Sequence, residues 1–360
     1  MSRFFSRRHA SLTPYTPGEQ PRAGDFIKLN TNEAPYPPSP AVSEALASGV
    51  AGRLNLYPDP AGTALRSKLA DYHGANARNI ALGNGSDETL AFIFLAFFDG
   101  ERGVVFPDVT YGLYPVLASL YGVPYSEIPV DGTLAVRAED YCGARENVVL
   151  ANPNAQTGIA LPTSDIERIA ASNRERVIVV DEAYADFAGL TAVPLTQKHD
   201  NLIVVRTYSK SRFMAGARLS YAVGHEDLIA DLETIRCSFN PYNVNSVTLE
   251  AGAAAIDSGE YYKRHWELIT DARRRCSETL RTLGFELTDS RANFLFTRHP
   301  KVPGRTLFDR LRGAGVLTRR FDRPERIADW LRITVGTGAQ METLAGLMKE
   351  IVLTEGGYDA

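Results

Sequence analysis

Four short runs of apolar, largely β-branched residues punctuate the middle of this chain: VVF at 104–106, NVVLAN at 147–152, VIVVDEA at 177–183 and LIVVRT at 202–207. They are nearly continuous in apolar side chains, as parallel strands covered on both faces tend to be. Helical patterns at 89–98, 114–121 and 164–171 lie between or beside them. Parallel strands need long crossovers, and helices in this rhythm supply them. The pattern therefore predicts an α/β domain with a mostly parallel sheet.

A length of 360 residues exceeds one ordinary core. After about residue 255 the pattern changes to a long charged helix over 260–283. NFLFTR at 293–298, GVLTRRF at 315–321, WLRITVG at 330–336 and a closing helix from about residue 340 follow. This predicts a smaller α+β domain over 256–360 and a large domain over 35–255, with an N-terminal arm, 1–34, contributing to the smaller one. NEAPYPPSP at 32–40 reads as an extended linker, since successive prolines favour polyproline geometry.

The net charge of -4 gives no sign of a nucleic-acid partner. The longest apolar run, 90–98, is too short to span a bilayer. Three scattered cysteines, Cys142, Cys237 and Cys276, lack metal-ligand spacing and fit a reducing compartment, so a cytoplasmic location and no metal are expected. The start, MSRFFSRRHASL, is rich in Arg and Ser and lacks acids. That composition suits a transit peptide or a surface arm, and the arm is the preferred reading.

Polar residues gather where the strands end, which is where ligands bind in open α/β sheets. GNGSDETLAFIFLAFF, from 83, is a glycine-bearing turn opening a helix, whose free N–H groups suit a phosphate; the plainer reading makes Ser86 an ordinary N-cap. Asp181 ends a buried run and calls for a cation or a ring N–H, unless it is a simple loop carboxylate. Tyr184 is placed to reach the same pocket. In TYSK, one of only seven lysines, Lys210, directly follows a buried strand and Ser209. A desolvated lysine has a lowered pKa and acts as a nucleophilic amine; the plain alternative is a snorkelling surface lysine. Arg218 suits a phosphate, or else sits solvated on a helix. Together these groups describe pyridoxal 5′-phosphate (PLP): a phosphate, a ring nitrogen seeking a carboxylate, a ring hydroxyl and an aldehyde seeking an amine. No G-x-G-x-x-G follows a strand with a later acid, which argues against a dinucleotide-dependent oxidoreductase.

With these residues in place, the chain resembles the fold-type I aminotransferases, and among them the histidinol-phosphate aminotransferases. The likeness runs through LTPY (12–15), KLNTNEAPYPPSP (28–40), LYPDPAGTALRSKLADY (56–72), GNGSDE (83–88) and FPDVTYGLY (106–114). It continues in NPNAQTG (152–158), VVDEAYADF (179–187), TYSKSRFMAGARLSYAVG (207–224), PYNVN (241–245) and LRITVGT (331–337). The resemblance implies a Schiff base at Lys210, which also shuttles the proton, with Asp181 on the pyridinium nitrogen and Tyr184 on the ring oxygen. It implies Tyr111 stacked on the ring, and Gly85, Ser86, Asp87, Ser209, Arg218 and Thr207 around the phosphate. Tyr57 would reach the phosphate of a partner subunit, which implies a homodimer. Arg332, with Tyr15 and Arg319, would grip the anionic end of the substrate. The implied reaction is ping-pong transfer from histidinol phosphate to 2-oxoglutarate. The alternatives are an aminotransferase of aromatic or other amino acids, or a PLP-dependent decarboxylase of a phosphorylated amino acid. NPNAQTG departs from the family's NPNNPTG or NPNAPTG: Ala155 stands where an Asn often meets the ring oxygen, with Asn154 as a substitute candidate, and Gln156 replaces proline. Ala34 in NEAPY replaces a common Asn.

Overall fold

The computed structural model describes residues 2–21 and 26–356. Met1 and residues 22–25 of the expected arm, and the last four residues of the expected C-terminal domain, lie outside the described residues. Thirteen strands are described: β1 (Ile27–Lys28), β2 (Ile80–Gly83), β3 (Val104–Pro107), β4 (Tyr125–Ile128), β5 (Asn147–Ala151), β6 (Ile178–Asp181), β7 (Leu202–Thr207), β8 (Ser220–Gly224), β9 (Glu286–Leu287), β10 (Phe294–Arg298), β11 (Val316–Leu317), β12 (Arg319–Arg320) and β13 (Leu331–Thr334). Seven of them form one sheet in the order β4-β3-β5-β6-β7-β8-β2. The pairs from β4 to β7 are parallel, and β8 runs antiparallel to both its neighbours. The sheet is thus mostly parallel, as the apolar runs predict. Every residue of β5, β6 and β7 is buried, which is why those strands carry almost no polar side chains.

The remaining strands make two small sheets. The order β12-β13-β10-β9 is antiparallel throughout, and β1 pairs in parallel with β11. GVLTRRF is therefore two strands rather than one. Val316 and Leu317 are buried beside β1, whereas Arg319 and Arg320 leave that apolar setting and pair with β13. The Pro-rich linker ends at Ser39, and Pro40 opens a helix, Pro40–Ala47, at a position where its missing N–H costs nothing.

The 24-residue helix Gly259–Thr282 carries an apolar stripe of Tyr262, Ile269, Ala272, Cys276 and Leu280. It also reaches across the molecule. The Tyr262 hydroxyl accepts from Ser39 N–H at 3.1 Å, and Trp266 Nε1 donates to the Ser211 carbonyl at 2.7 Å. The second bond fixes the residue directly after Lys210.

Candidate active site

The carboxyl ends of β2, β6 and β7 converge on a cavity of about 430 Å³. Of the residues singled out in the sequence, it is lined by Ser86, Asp87 and Tyr111, by Asp181 and Tyr184, by Thr207, Ser209, Lys210 and Arg218, and by Tyr15, Arg319 and Arg332.

Asp181 is the last residue of β6 and is 4% exposed. Its Oδ2 accepts from the Tyr114 hydroxyl at 3.0 Å and its Oδ1 from Ala183 N–H at 3.2 Å. No cation of the described residues pairs with it. Burial pushes its pKa up to about 6, although both hydrogen bonds favour the charged form. The carboxylate lines the cavity, where it can accept from an N–H group.

Lys210 lies on the short helix Tyr208–Ser211, one turn beyond β7. Thr207 caps that helix, accepting from Ser209 N–H at 3.2 Å. Lys210 Nζ donates to the Thr31 carbonyl at 3.1 Å. Burial, reinforced by the nearby Arg332 charge, lowers its pKa to about 8. A much larger share of the amine is therefore neutral near physiological pH than for a free lysine.

Behind these two residues lies a buried ionic cluster. Arg206 Nη1 bonds Glu182 at 2.7 Å and its Nη2 bonds Asp186; Ser211 Oγ donates to Asp186 at 2.5 Å. Burial pushes Asp186 up, but the guanidiniums of Arg206 and Arg212 outweigh it and hold the carboxyl at about 2. The cluster ties the segment after Asp181 to the turn carrying Lys210, so the acid and the amine share one rigid support.

The anion cradle forms at the start of the helix Ser86–Phe97. Gly85, not Ser86, is its N-cap, and Ser86 is left to face the cavity. Gly85 sits at φ +88°, a backbone conformation that favours glycine, and a Cβ there would lie 2.3 Å from Arg218 Nη2 and push the guanidinium away from the helix end. Arg218 bonds Asp87 Oδ2 at 3.3 Å, and the Tyr111 hydroxyl donates to Asp87 Oδ1 at 2.8 Å. Asp87 is a carboxylate and does not itself attract an anion; it aims the arginine and the phenol.

Arg319 and Arg332 sit opposite each other in the β12–β13 register. Arg332 Nη1 donates to the Ala155 carbonyl at 2.9 Å, while its buried Nε has no partner. Arg319 donates to the carbonyls of Thr16 and Pro17 in the N-terminal arm, at 2.9 and 3.3 Å. Among the described residues neither has a carboxylate partner. Directly opposed like charges are unfavourable, so the pair is set up to receive an anion.

Two candidates lie elsewhere. Asn154 does not line the cavity. It is 1% exposed, donates to the Val109 carbonyl at 2.9 Å and accepts from Gln156 and Thr157 N–H, so its amide is spent on the turn. Gln156 stabilises the same turn by donating to the Thr110 carbonyl at 2.7 Å. Tyr57 is 80% exposed, away from this chain's own cavity, with its ring stacked 4.5 Å from Tyr242. Sequence reasoning missed Tyr114, which bonds Asp181, and Asn32, whose Nδ2 donates to the Tyr184 hydroxyl at 3.0 Å. Both stand inside quoted motifs, FPDVTYGLY and KLNTNEAPYPPSP, but nothing in their spacing says which side chain meets which.

The sequence model of the class I and II aminotransferases matches residues 24–348. The chain belongs to that family. Full-length relatives agree. A protein of Thiobacillus denitrificans named histidinol-phosphate aminotransferase 2 is 45% identical over 97% of this chain and 98% of its own. Histidinol-phosphate aminotransferase 1 of Bradyrhizobium diazoefficiens is 46% identical over 98% of this chain and 100% of its own. Among solved structures, the histidinol-phosphate aminotransferase of Sinorhizobium meliloti, in complex with pyridoxal-5′-phosphate, superposes with a TM-score of 0.84. It is 26% identical and covers 92% of each chain. A Thermus thermophilus aspartate aminotransferase mutant, 20% identical with a TM-score of 0.81, shares the fold.

Proposed function

We propose that this chain is a PLP-dependent histidinol-phosphate aminotransferase, passing the amino group on to 2-oxoglutarate. The observation that carries the cofactor is the shared cavity. It holds a lysine amine with lowered pKa, a buried carboxylate without a cation, and a glycine-shaped anion cradle closed by Arg218. The cradle fits the phosphate, Asp181 the ring nitrogen, Tyr184 the ring oxygen, Tyr111 the ring face and Lys210 the aldehyde. The opposed Arg319 and Arg332 support a phosphorylated amine as donor, and so do the relatives' names.

When bound, PLP supplies an electron sink for the charge left at the substrate Cα. Asp181 keeps the ring nitrogen protonated by holding its negative charge beside it. With the cofactor bound, the Lys210 amine would take the substrate Cα proton as base and give it back as acid. The rigid cluster behind both residues keeps their geometry constant through these steps. Tyr15, which meets Tyr111 edge-on at 5.7 Å, lines the cavity from the arm side.

The supporting test is a donor panel read by the absorbance of the bound cofactor: histidinol phosphate, histidine, phenylalanine, tyrosine and threonine phosphate. Histidinol phosphate should convert the cofactor to its amine form fastest. Release of CO2 from a phosphorylated amino acid would point to a decarboxylase instead.

The reading extends to a homodimer in which Tyr57 enters the neighbour's site. Its exposure, beside exposed Leu54 and Leu56, supports this. It also takes residues 35–255 as the PLP-binding domain and 256–360 as the small domain completed by the arm, supported by the β1–β11 pairing. A cytoplasmic location is supported by three free cysteines.

A further inference from the structure

Tyr184 is 6% exposed, and the one hydrogen bond to its hydroxyl among the described residues comes from Asn32 Nδ2, at 3.0 Å. Asn32 is 1% exposed and adopts φ 56°, in the left-handed region that asparagine tolerates better than most residues. Its backbone N–H donates to Thr334 Oγ1 at 2.9 Å, and Thr334 Oγ1 lies 3.2 Å from Asn32 Oδ1. Asn293 Nδ2 donates to the Asn32 carbonyl at 3.1 Å, holding the backbone in place.

These contacts run in one direction in the structure. Thr334 Oγ1 accepts from the backbone N–H and donates its own hydrogen to Asn32 Oδ1. That makes Oδ1 the acceptor end of the amide and leaves Nδ2 to donate to Tyr184. Nδ2 cannot accept, so the phenol keeps its own hydrogen. The phenol is buried and lines the cavity, and that hydrogen has no acceptor among the described residues. Ala151, Ala155 and Ala183 line the same cavity and carry no side-chain polar group.

We propose that Asn32 is a positioning residue for the cofactor's ring oxygen. Through the fixed direction Asn32 N–H to Thr334 to Asn32 amide to Tyr184, it turns the Tyr184 hydroxyl hydrogen into the cavity, where the ring oxygen receives it. This rests on the PLP reading above. It makes Tyr184 a committed donor in a site where Ala155 offers no side-chain polar group. Thr334 stands two residues from Arg332 on β13, so the strand that carries the anion-binding arginine also fixes the phenol's direction.

The test is a pH titration of the bound cofactor's visible absorbance, whose midpoint falls when a donor stabilises charge on the ring oxygen. Asn32→Gly removes the amide while suiting the positive φ, so the backbone is not strained. It should raise the midpoint by about one unit, the equivalent of one net hydrogen bond, and lower kcat about fivefold with little change in KM. Tyr184→Phe should raise the midpoint at least as far, and the double variant should match Tyr184→Phe alone. A wild-type midpoint in Asn32→Gly, or a shift that adds fully to that of Tyr184→Phe, overturns the proposal. If Asn32→Gly does not fold, Thr334→Ser should titrate like wild type and Thr334→Val like a chain lacking the amide; a wild-type midpoint in Thr334→Val overturns it equally. Wild-type protein that binds no PLP refutes the underlying reading as well, and is told apart by the missing visible band.

Discussion

Lys210 and Asp181 both pay in stability for what they do in the site. Lys210 titrates at about 8 in the folded chain against an ordinary 10.5, because burial and Arg332 disfavour its charge. The unfolded chain therefore binds more protons between those values, and folding gains stability as pH rises through that window. Below pH about 8 the full cost is present. Lys210→Met should then raise the Tm of the cofactor-free protein at pH 7, and the advantage should fade above pH about 10; a scanning-calorimetry series across pH measures this. Asp181 has the opposite titration. Its folded pKa is raised to about 6 from 3.8, so the protonated carboxyl is favoured in the fold, stability is lost as pH rises between those two values, and the full cost is present above pH about 6. Asp181→Asn should stabilise the cofactor-free chain at pH 7 yet remove the partner of the ring nitrogen and lower transamination by orders of magnitude. For the attachment point itself, borohydride reduction and peptide mapping should place the pyridoxyl group on Lys210, and a label on another lysine would refute that role. Lys210→Ala should retain PLP while losing transamination.

At the scale of elements, β12 and β13 carry the substrate reading. Their register sets Arg319 against Arg332, and Arg319 also fastens the arm through Thr16 and Pro17. Arg332→Ala removes a charge-assisted contact and strands a buried anion, a loss of about 2–4 kcal/mol, so kcat/KM for histidinol phosphate should fall about thirty- to a thousand-fold. Arg319→Ala should harm histidinol phosphate more than phenylalanine, and equal losses for the two donors would favour a broader aminotransferase. Because Arg319 binds two arm carbonyls, the same variant should speed amide exchange across residues 12–21, measurable by hydrogen–deuterium exchange. Unchanged exchange would mean that the arm is held by its other contacts.

The whole molecule shows an exposed apolar group around Leu54, Leu56 and Tyr57, the last against Tyr242. Clustered large apolar residues in the open favour association. Light scattering should therefore give twice the 39.5 kDa of one chain. The shared site is tested by mixing two inactive proteins, Lys210→Ala and Tyr57→Phe. If Tyr57 acts in the neighbour's site, a mixed dimer assembles one site free of both lesions and activity returns. Proven subunit exchange without recovery, in a mixture whose Tyr57→Phe parent is inactive, would place Tyr57 outside catalysis.

The sequence by itself determined the central layer and pointed to the groups proposed to react. Strands β5 to β7 are legible because burial on both faces demands unbroken apolar runs, and Lys210 and Asp181 are legible because charge at the end of such a run needs a chemical reason. Strands β2 and β8 were not legible: IALG and SYAVG are short and rich in small residues, and only their neighbours make them strands. The split of GVLTRRF between two sheets was hidden for the same reason, since pairing partners lie hundreds of residues away in β1 and a dozen away in β13. Tertiary structure alone decided which polar groups meet. It spent Asn154 on a turn, gave Asp181 the phenol of Tyr114, and joined Asn32 to Tyr184 and Thr334 across 152 and 302 residues. A hydrogen bond depends on distance and direction in space, and neither is encoded in the local pattern of a chain.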